Sequence, residues 1–386
     1  MKKRLMKTMA FLAIAGLTFG LSACNHDNHE ETDDAEAAAV AAQFVDHTVA
    51  PTYTALAAQA ERLADQLAAL KGNPTQTGID QACETFLAAR EQWEKSEAFL
   101  FGAAGDFGVD PHIDSWPLDE TAFNTLMGNS AMLALLDSDE GDAKAGELLN
   151  NALLGFHGLE YILFEKGNPK DVSKITRDQW IYVSAVAGDL RNRCYQLEVG
   201  WLGDDAPESH IAKLDDLEMQ YTVAGSDFSY GQNMKNAGKA GSTYVSRNAA
   251  LIAILQGCAD IADEVGSSKI ASAVLNGDET YIESPYSQMS ITDFRNNIIS
   301  IQNVYLGGVE GQRDNSKSLH AYLGGIDASV DARIVNAINT AMEKIDDMPA
   351  PFALNFNEQT RNGAAIEACA ALQEAISTAI DAVGNN

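Results

Sequence analysis

Along this chain apolar residues return every three or four positions, and no stretch of any length alternates apolar with polar. The first spacing keeps side chains on one face of an α-helix, whereas a half-buried strand needs a period of two. From Ala35 onward the chain is rich in Ala, Leu, Glu and Gln, and only nine prolines in all stand to interrupt a helix. The pattern predicts helices near 35–71 (with a break or kink at Pro51), 78–101, 140–166, 176–201, 243–266, 290–306, 316–345 and 358–383. Thr176 to Gln179 is a capping-box start, and Ser290 to Asp293 is a looser relative of one. The fold class is all-α.

Gly203-Asp-Asp-Ala-Pro207 separates four long helical segments from a second set, and the glycine-rich stretch from Ala224 to Ser242 reads as an exposed excursion. Two helical-bundle domains of about four main helices each fit this division, 35–205 and 206–386. A faint repeat points to duplication: Arg90 precedes Gly102, and Arg295 precedes Gly307, by the same twelve residues.

The first residues change the expected address. Lys2, Lys3, Arg4 and Lys7 precede an apolar core, Met9 to Leu21, that is shorter than a membrane span. Leu21-Ser22-Ala23-Cys24 then resembles a bacterial lipobox, which makes 1–23 a lipoprotein signal peptide and Cys24 the lipidated residue. The expectation is a cell-envelope lipoprotein, facing periplasm or cell surface, held to the membrane through Cys24. Residues 24–34 are polar and acidic and read as a tether. Without 1–23 the chain keeps 22 bases against 55 acids, a formal charge of −33. That balance argues against nucleic acid and against an anionic membrane surface as partners. Cys83, Cys194, Cys258 and Cys369 are far apart in apolar contexts, where buried free thiols are expected.

Candidate chemistry centres on Gly155-Phe-His157-Gly158-Leu-Glu160. Leu149, Leu153, Phe156, Leu159 and Leu163 recur at helical spacing, so His157 and Glu160, three residues apart, share a largely buried face. Gly155 and Gly158 each cost a helix about 1 kcal/mol relative to Ala, which points to another backbone or a ligand close by. Imidazole with carboxylate suits iron, zinc or manganese. One helix supplies only two ligands, so Glu97, Asp114 and Asp119 are candidates for the rest. Arg90, Trp93 and Glu97 share a second helix face, and the loop after it brings Asp110, His112 and Trp116.

With these residues in hand, the chain resembles the imelysin family, whose G-x-H-x-x-E signature is matched by Gly155, His157 and Glu160. Ala89 to Trp93, Glu97 to Gly102, Ile113 to Pro117, Ser284 to Ser287, Asp293, Asn297 and Tyr305 to Gly308 also fit. The resemblance implies two helical bundles, a role in bacterial iron uptake beside other uptake components, and a site in the cleft between the bundles. It carries over His157 and Glu160 as metal ligands, joined by Glu97. Gly155, Gly158, Arg90, Trp93, Asp114, Asp119, Tyr286, Asp293 and Asn297 are then cleft residues, with Arg90 suited to an anionic or chelated-metal ligand. The family also carries a peptidase label, but Tyr161 stands where a His-x-x-Glu-His zinc motif needs its second histidine. Metal-dependent peptidase and metal-free ligand- or protein-binding module are therefore the alternatives to an iron-binding protein.

Overall fold

The computed structural model describes residues 27–385, so the signal segment and Cys24 lie outside the described residues. Helix α1 (Asp27–Phe44) continues through a π-helical turn (Val45–Val49) into α2 (Ala50–Gly72). The disturbance expected at Pro51 thus falls just before it, because proline is tolerated in a first helical turn and not deeper. The helix also reaches back to Asp27, through residues whose composition predicts a tether. Then follow α3 (Gln76–Glu94, capped by Thr75), α4 (Gly155–Leu163) and α5 (Arg177–Leu202), the last opened by the predicted Thr176–Gln179 capping box. Helix α6 (Arg247–Glu264) runs into a second π-helical turn, Val265–Ile270, and is followed by α7 (Ser290–Tyr305), α8 (Ala328–Asp346) and α9 (Gln359–Gly384). The sheet among the described residues is one hairpin, Phe164–Glu165 with Asn168–Pro169.

Three predicted helices end early or break. Residues 78–101 stop being α-helical at Glu94 and tighten into a 3₁₀ turn, Glu97–Phe99. The 140–166 segment is two helices, because Gly155 takes a positive φ of 65° that no helix interior allows and the chain re-enters there. The 316–345 segment breaks at Asp327, whose side chain leaves the first helix to cap α8 by accepting from Ser329 N and Val330 N. The excursion at 224–242 is not fully exposed. Its short helix Tyr230–Lys235 buries Tyr230 and Met234, four residues apart, against α5. Ser290 does not cap α7 either, since its hydroxyl donates to the Glu283 carbonyl.

Helix α2 packs on α3 and α5, while α9 packs on α6 and α8. The two sets are not separate bodies. Helix α1 lies on α6, α3 lies on α7, and one hydrophobic cluster runs from Ala37 to Val383. The division at 205/206 is therefore a division of sequence and not of the core. Phe44 at the end of α1 is packed among first-half aromatics, its ring 5.9 Å from Phe99, 6.2 Å from Phe101 and 6.1 Å from Trp201. The repeat does not reach the interior: Arg90 is buried, while Arg295 lies at the surface beside Asp346. Cys83, Cys194, Cys258 and Cys369 are free and buried, as their contexts predict.

A continuous core predicts a single cooperative thermal transition, checked by calorimetry. Phe44→Ala should lower that transition as a whole, costing about 3–5 kcal/mol as other buried Phe truncations do. Two transitions, one of them unmoved, would show that the halves are independent.

Candidate functional site

The site begins with two close approaches. At Gly155 a Cβ would overlap the backbone of Ile113, so only glycine lets that strand of chain lie against α4. Asp114 is the next residue, and the contact sets it beside His157, with Oδ1 3.0 Å from Nε2. At Gly158 the missing Cβ leaves room for the Tyr182 hydroxyl, which donates to Leu153 O at 2.6 Å and closes the turn in front of α4. Both glycines thus answer to neighbouring protein groups, as their cost to the helix suggests.

Around His157 lies a network of buried charges drawn from both halves. Arg90 Nη2 is 2.5 Å from Glu94 Oε1 and 2.5 Å from Glu283 Oε1, and Nη1 pairs with Asp114. Trp93 Nε1 donates to Asp114 Oδ2 at 2.7 Å. Lys269, carried inward by the π-helical turn Val265–Ile270, places Nζ 3.2 Å from Glu283, 3.4 Å from Glu97 and 3.7 Å from Glu94. Asn297 Nδ2 donates to Glu94 Oε2 at 2.5 Å, and Ser284 Oγ donates to Asp293 Oδ2 at 2.5 Å. Glu160 Oε1 accepts from Ser287 N and Oγ, each at 2.7 Å, and from Tyr286 N at 3.2 Å. Exposure is 3% for His157 and 1% for Glu160 and Lys269. Such charges are stable only when paired.

Six carboxylates face two fixed cations, and the protons respond. Burial alone would lower the His157 pKa, but Asp114 and Glu160 outweigh it and push the imidazole up to about 9. Burial would raise Asp114, yet Arg90 and His157 hold it below the usual carboxylate range. Burial and the nearby Glu94 carry Glu283 up to about 7 against the pull of Lys269 and Arg90. Burial likewise raises Glu97 and Asp293. The network therefore holds bound protons that an incoming cation can replace. Three of its buried atoms, Arg90 Nε, Glu283 Oε2 and Asn297 Oδ1, lack a hydrogen-bond partner, while Glu94 Oε1, His157 Nε2 and Glu160 Oε2 are met by ion-pair contacts alone.

A pocket of about 380 Å³ opens onto His157 from outside. Trp116, Pro117, Leu118 and Glu120 form its first-half wall, and Glu279, Thr280, Ile282, Pro285 and Tyr286 form the facing one. Residues from both halves of the sequence thus line this pocket, whose walls mix apolar and acidic side chains.

Of the residues expected to act there, His157 and Tyr286 line the pocket, while Gly155 and Gly158 pack against Ile113 and Tyr182. Arg90, Trp93, Asp293 and Asn297 lie within the charged network beneath. Arg90 is consumed by three carboxylates and by the face of Phe156, 5.2 Å away, which leaves it unsuited to an anionic ligand. Asp119 is an exposed cap of helix Glu120–Met127 and takes no part. His112 pairs with Asp189, 2.8 Å away. Among the described residues, two groups of buried acids and histidine bring ligand atoms within 4.8 Å of one another: Asp114, His157 and Glu283, and Glu94, Glu97 and Asp114. Glu160 Oε2 lies 3.5 Å from His157 Nδ1, and Glu97 stands in the second group with Glu94 and Asp114. Glu94, Lys269 and Glu283 escaped the sequence reading. Glu94 was signalled by its four-residue spacing from Arg90, whereas Lys269 follows Gly266-Ser-Ser268 and carries no such signal. Nothing local marked Glu283, which reaches Arg90 across 193 residues.

The imelysin family profile matches residues 49–379, and the chain belongs to that family. Iron-regulated protein A of Synechococcus elongatus is 28% identical over 304 residues, 78% of this chain and 72% of that protein. A crystal structure described as an iron-regulated protein A precursor, from Parabacteroides distasonis, has a TM-score of 0.77 at 28% identity and covers 90% of this chain and 95% of that one. An imelysin-like protein from Psychrobacter arcticum shares the fold at 15% identity, with a TM-score of 0.65 over 91% of this chain and 96% of its own.

Removing the Lys269 charge strands buried carboxylates, so Lys269→Met should cost about 3–5 kcal/mol in denaturant unfolding. For His157 the folded pKa of about 9 exceeds the ordinary 6.5. Its stabilisation is complete below that lower value and is lost as pH rises toward the upper one. Unfolding free energy of the metal-free protein should fall across this window, and less steeply in His157→Gln.

Proposed function

We propose that this imelysin-family chain binds iron, as the ion or within an iron-bearing ligand, at the base of the pocket between its halves, and serves iron acquisition at the cell envelope. The observation that carries this reading is the convergence of Asp114, His157 and Glu283 under the pocket, with ligand atoms within 4.8 Å of one another and with one Glu283 oxygen, Oε2, lacking a hydrogen-bond partner. One imidazole with two carboxylates is a donor set for iron, zinc or manganese. The names of the relatives favour iron among these.

These three residues would hold the metal, and Arg90 would keep Asp114 and Glu283 in place. A bound cation would supply positive charge where the network now keeps protons, so uptake should release protons and strengthen as pH rises. Tyr161, at the position of a second zinc-motif histidine, packs its ring 5.2 Å from Phe123 and 5.1 Å from Tyr286. That packing supports binding over a peptidase reaction. The lipid anchor at Cys24 belongs to the same proposal. It is supported by the lipobox-like sequence and by the description of the Parabacteroides relative as a precursor.

The test is elemental analysis and calorimetric titration with Fe(II), Fe(III), Zn(II) and Mn(II), on the chain from residue 24 carrying Cys24→Ala. About one metal per chain should bind, with iron preferred, and binding should vanish in His157→Ala and Glu283→Gln. Undiminished binding by His157→Ala, or none by the parent chain, would sink the metal-ion reading.

A further inference from the structure

The wall of the pocket between Ser284 and Gln288 has an unusual conformation: both end residues have positive φ, 52° and 61°, which side chains rarely adopt. Such a segment persists only when its surroundings dictate it. Here the dictating groups come largely from the other half of the molecule. Glu160 Oε1 takes three hydrogens from Tyr286 N, Ser287 N and Ser287 Oγ. Gly167 N, at the tip of the 164–169 hairpin, donates to Tyr286 O at 2.9 Å. Glu160 Oε2, by contrast, faces the ring and pairs with His157 Nδ1 at 3.5 Å. The other ring nitrogen, Nε2, is the one beside Asp114. Glu160 therefore stands behind the imidazole, on the side away from the Asp114 carboxylate.

The geometry points to Glu160 as a positioning residue and not a metal ligand. One of its oxygens clasps the 284–288 wall to the first half, and the other orients His157. Pocket wall and imidazole then form one mechanical unit, so that loosening the wall turns His157 out of register. A carboxylate behind a histidine is how proteins set the ring and tautomer of a metal-binding imidazole. The clasp stands on the contacts alone, while the metal-affinity part rests on the proposed function.

Hydrogen exchange read by mass spectrometry on the metal-free Cys24→Ala chain tests the clasp. Glu160→Ala should speed exchange of the peptide covering 284–288 by at least about tenfold, as expected when a local opening becomes easier. Ser287→Ala, which leaves Glu160 and the network intact, should speed it by a smaller factor. Glu160→Gln retains an acceptor oxygen and should keep protection. In metal titration Glu160→Gln should weaken affinity about 10- to 100-fold, the range for an orienting residue, while Glu283→Gln abolishes it. Unchanged exchange in Glu160→Ala overturns the clasp. Abolished metal binding in a Glu160→Gln protein whose wall stays protected makes Glu160 a ligand and overturns its positioning role. If the parent chain binds no metal, the proposed function falls, and exchange still decides the clasp.

Discussion

The structure depends on one constraint: the charges at its centre must never be left alone. Arg90 and Lys269 lie in an interior almost closed to water, where an unpaired ion costs several kcal/mol. Each is answered by carboxylates from both halves of the chain, with Glu283 shared between them. The halves cannot part without stranding charge, and the apolar cluster that runs from Ala37 to Val383 holds them together by a second means.

That constraint also makes the site. A network with more carboxylates than fixed cations must bind protons or recruit another positive charge. The protons are held on groups whose burial makes ionisation expensive, Glu97, Asp293 and Glu283 among them. Where the network meets the pocket, it presents an imidazole flanked by two carboxylates. Stability and chemistry here come from the same atoms, which is why the residues that build the floor cannot be separated cleanly from those that would bind.

Backbone detail places the parts. Gly155 admits Ile113 and so delivers Asp114. The π-helical turn at Val265–Ile270 widens α6's continuation and turns Lys269 inward, a use of such turns that recurs at functional sites. The 164–169 hairpin reaches across to Tyr286. Each is a local departure from regular helix at a point where the two halves meet.

Helical periodicity, low proline and capping residues determined the all-α class and most long helices, because those signals act within a few residues. They also marked His157, Glu160, Arg90 and Asp114, whose residue types are costly in an apolar setting. They did not determine where helices break. Gly155 and Asp327 end or restart helices through contacts and caps that compete with periodicity. Nor did they show which acids meet. Glu97 and Glu160 were legible as acids beside the motif, yet Glu97 faces Lys269, and Glu160 faces Ser287. Glu283 takes the third place beside His157 and Asp114. Sequence spacing reports neighbours along a helix, whereas the pairing of buried charges is settled by desolvation across the interface, which only the assembled tertiary structure imposes.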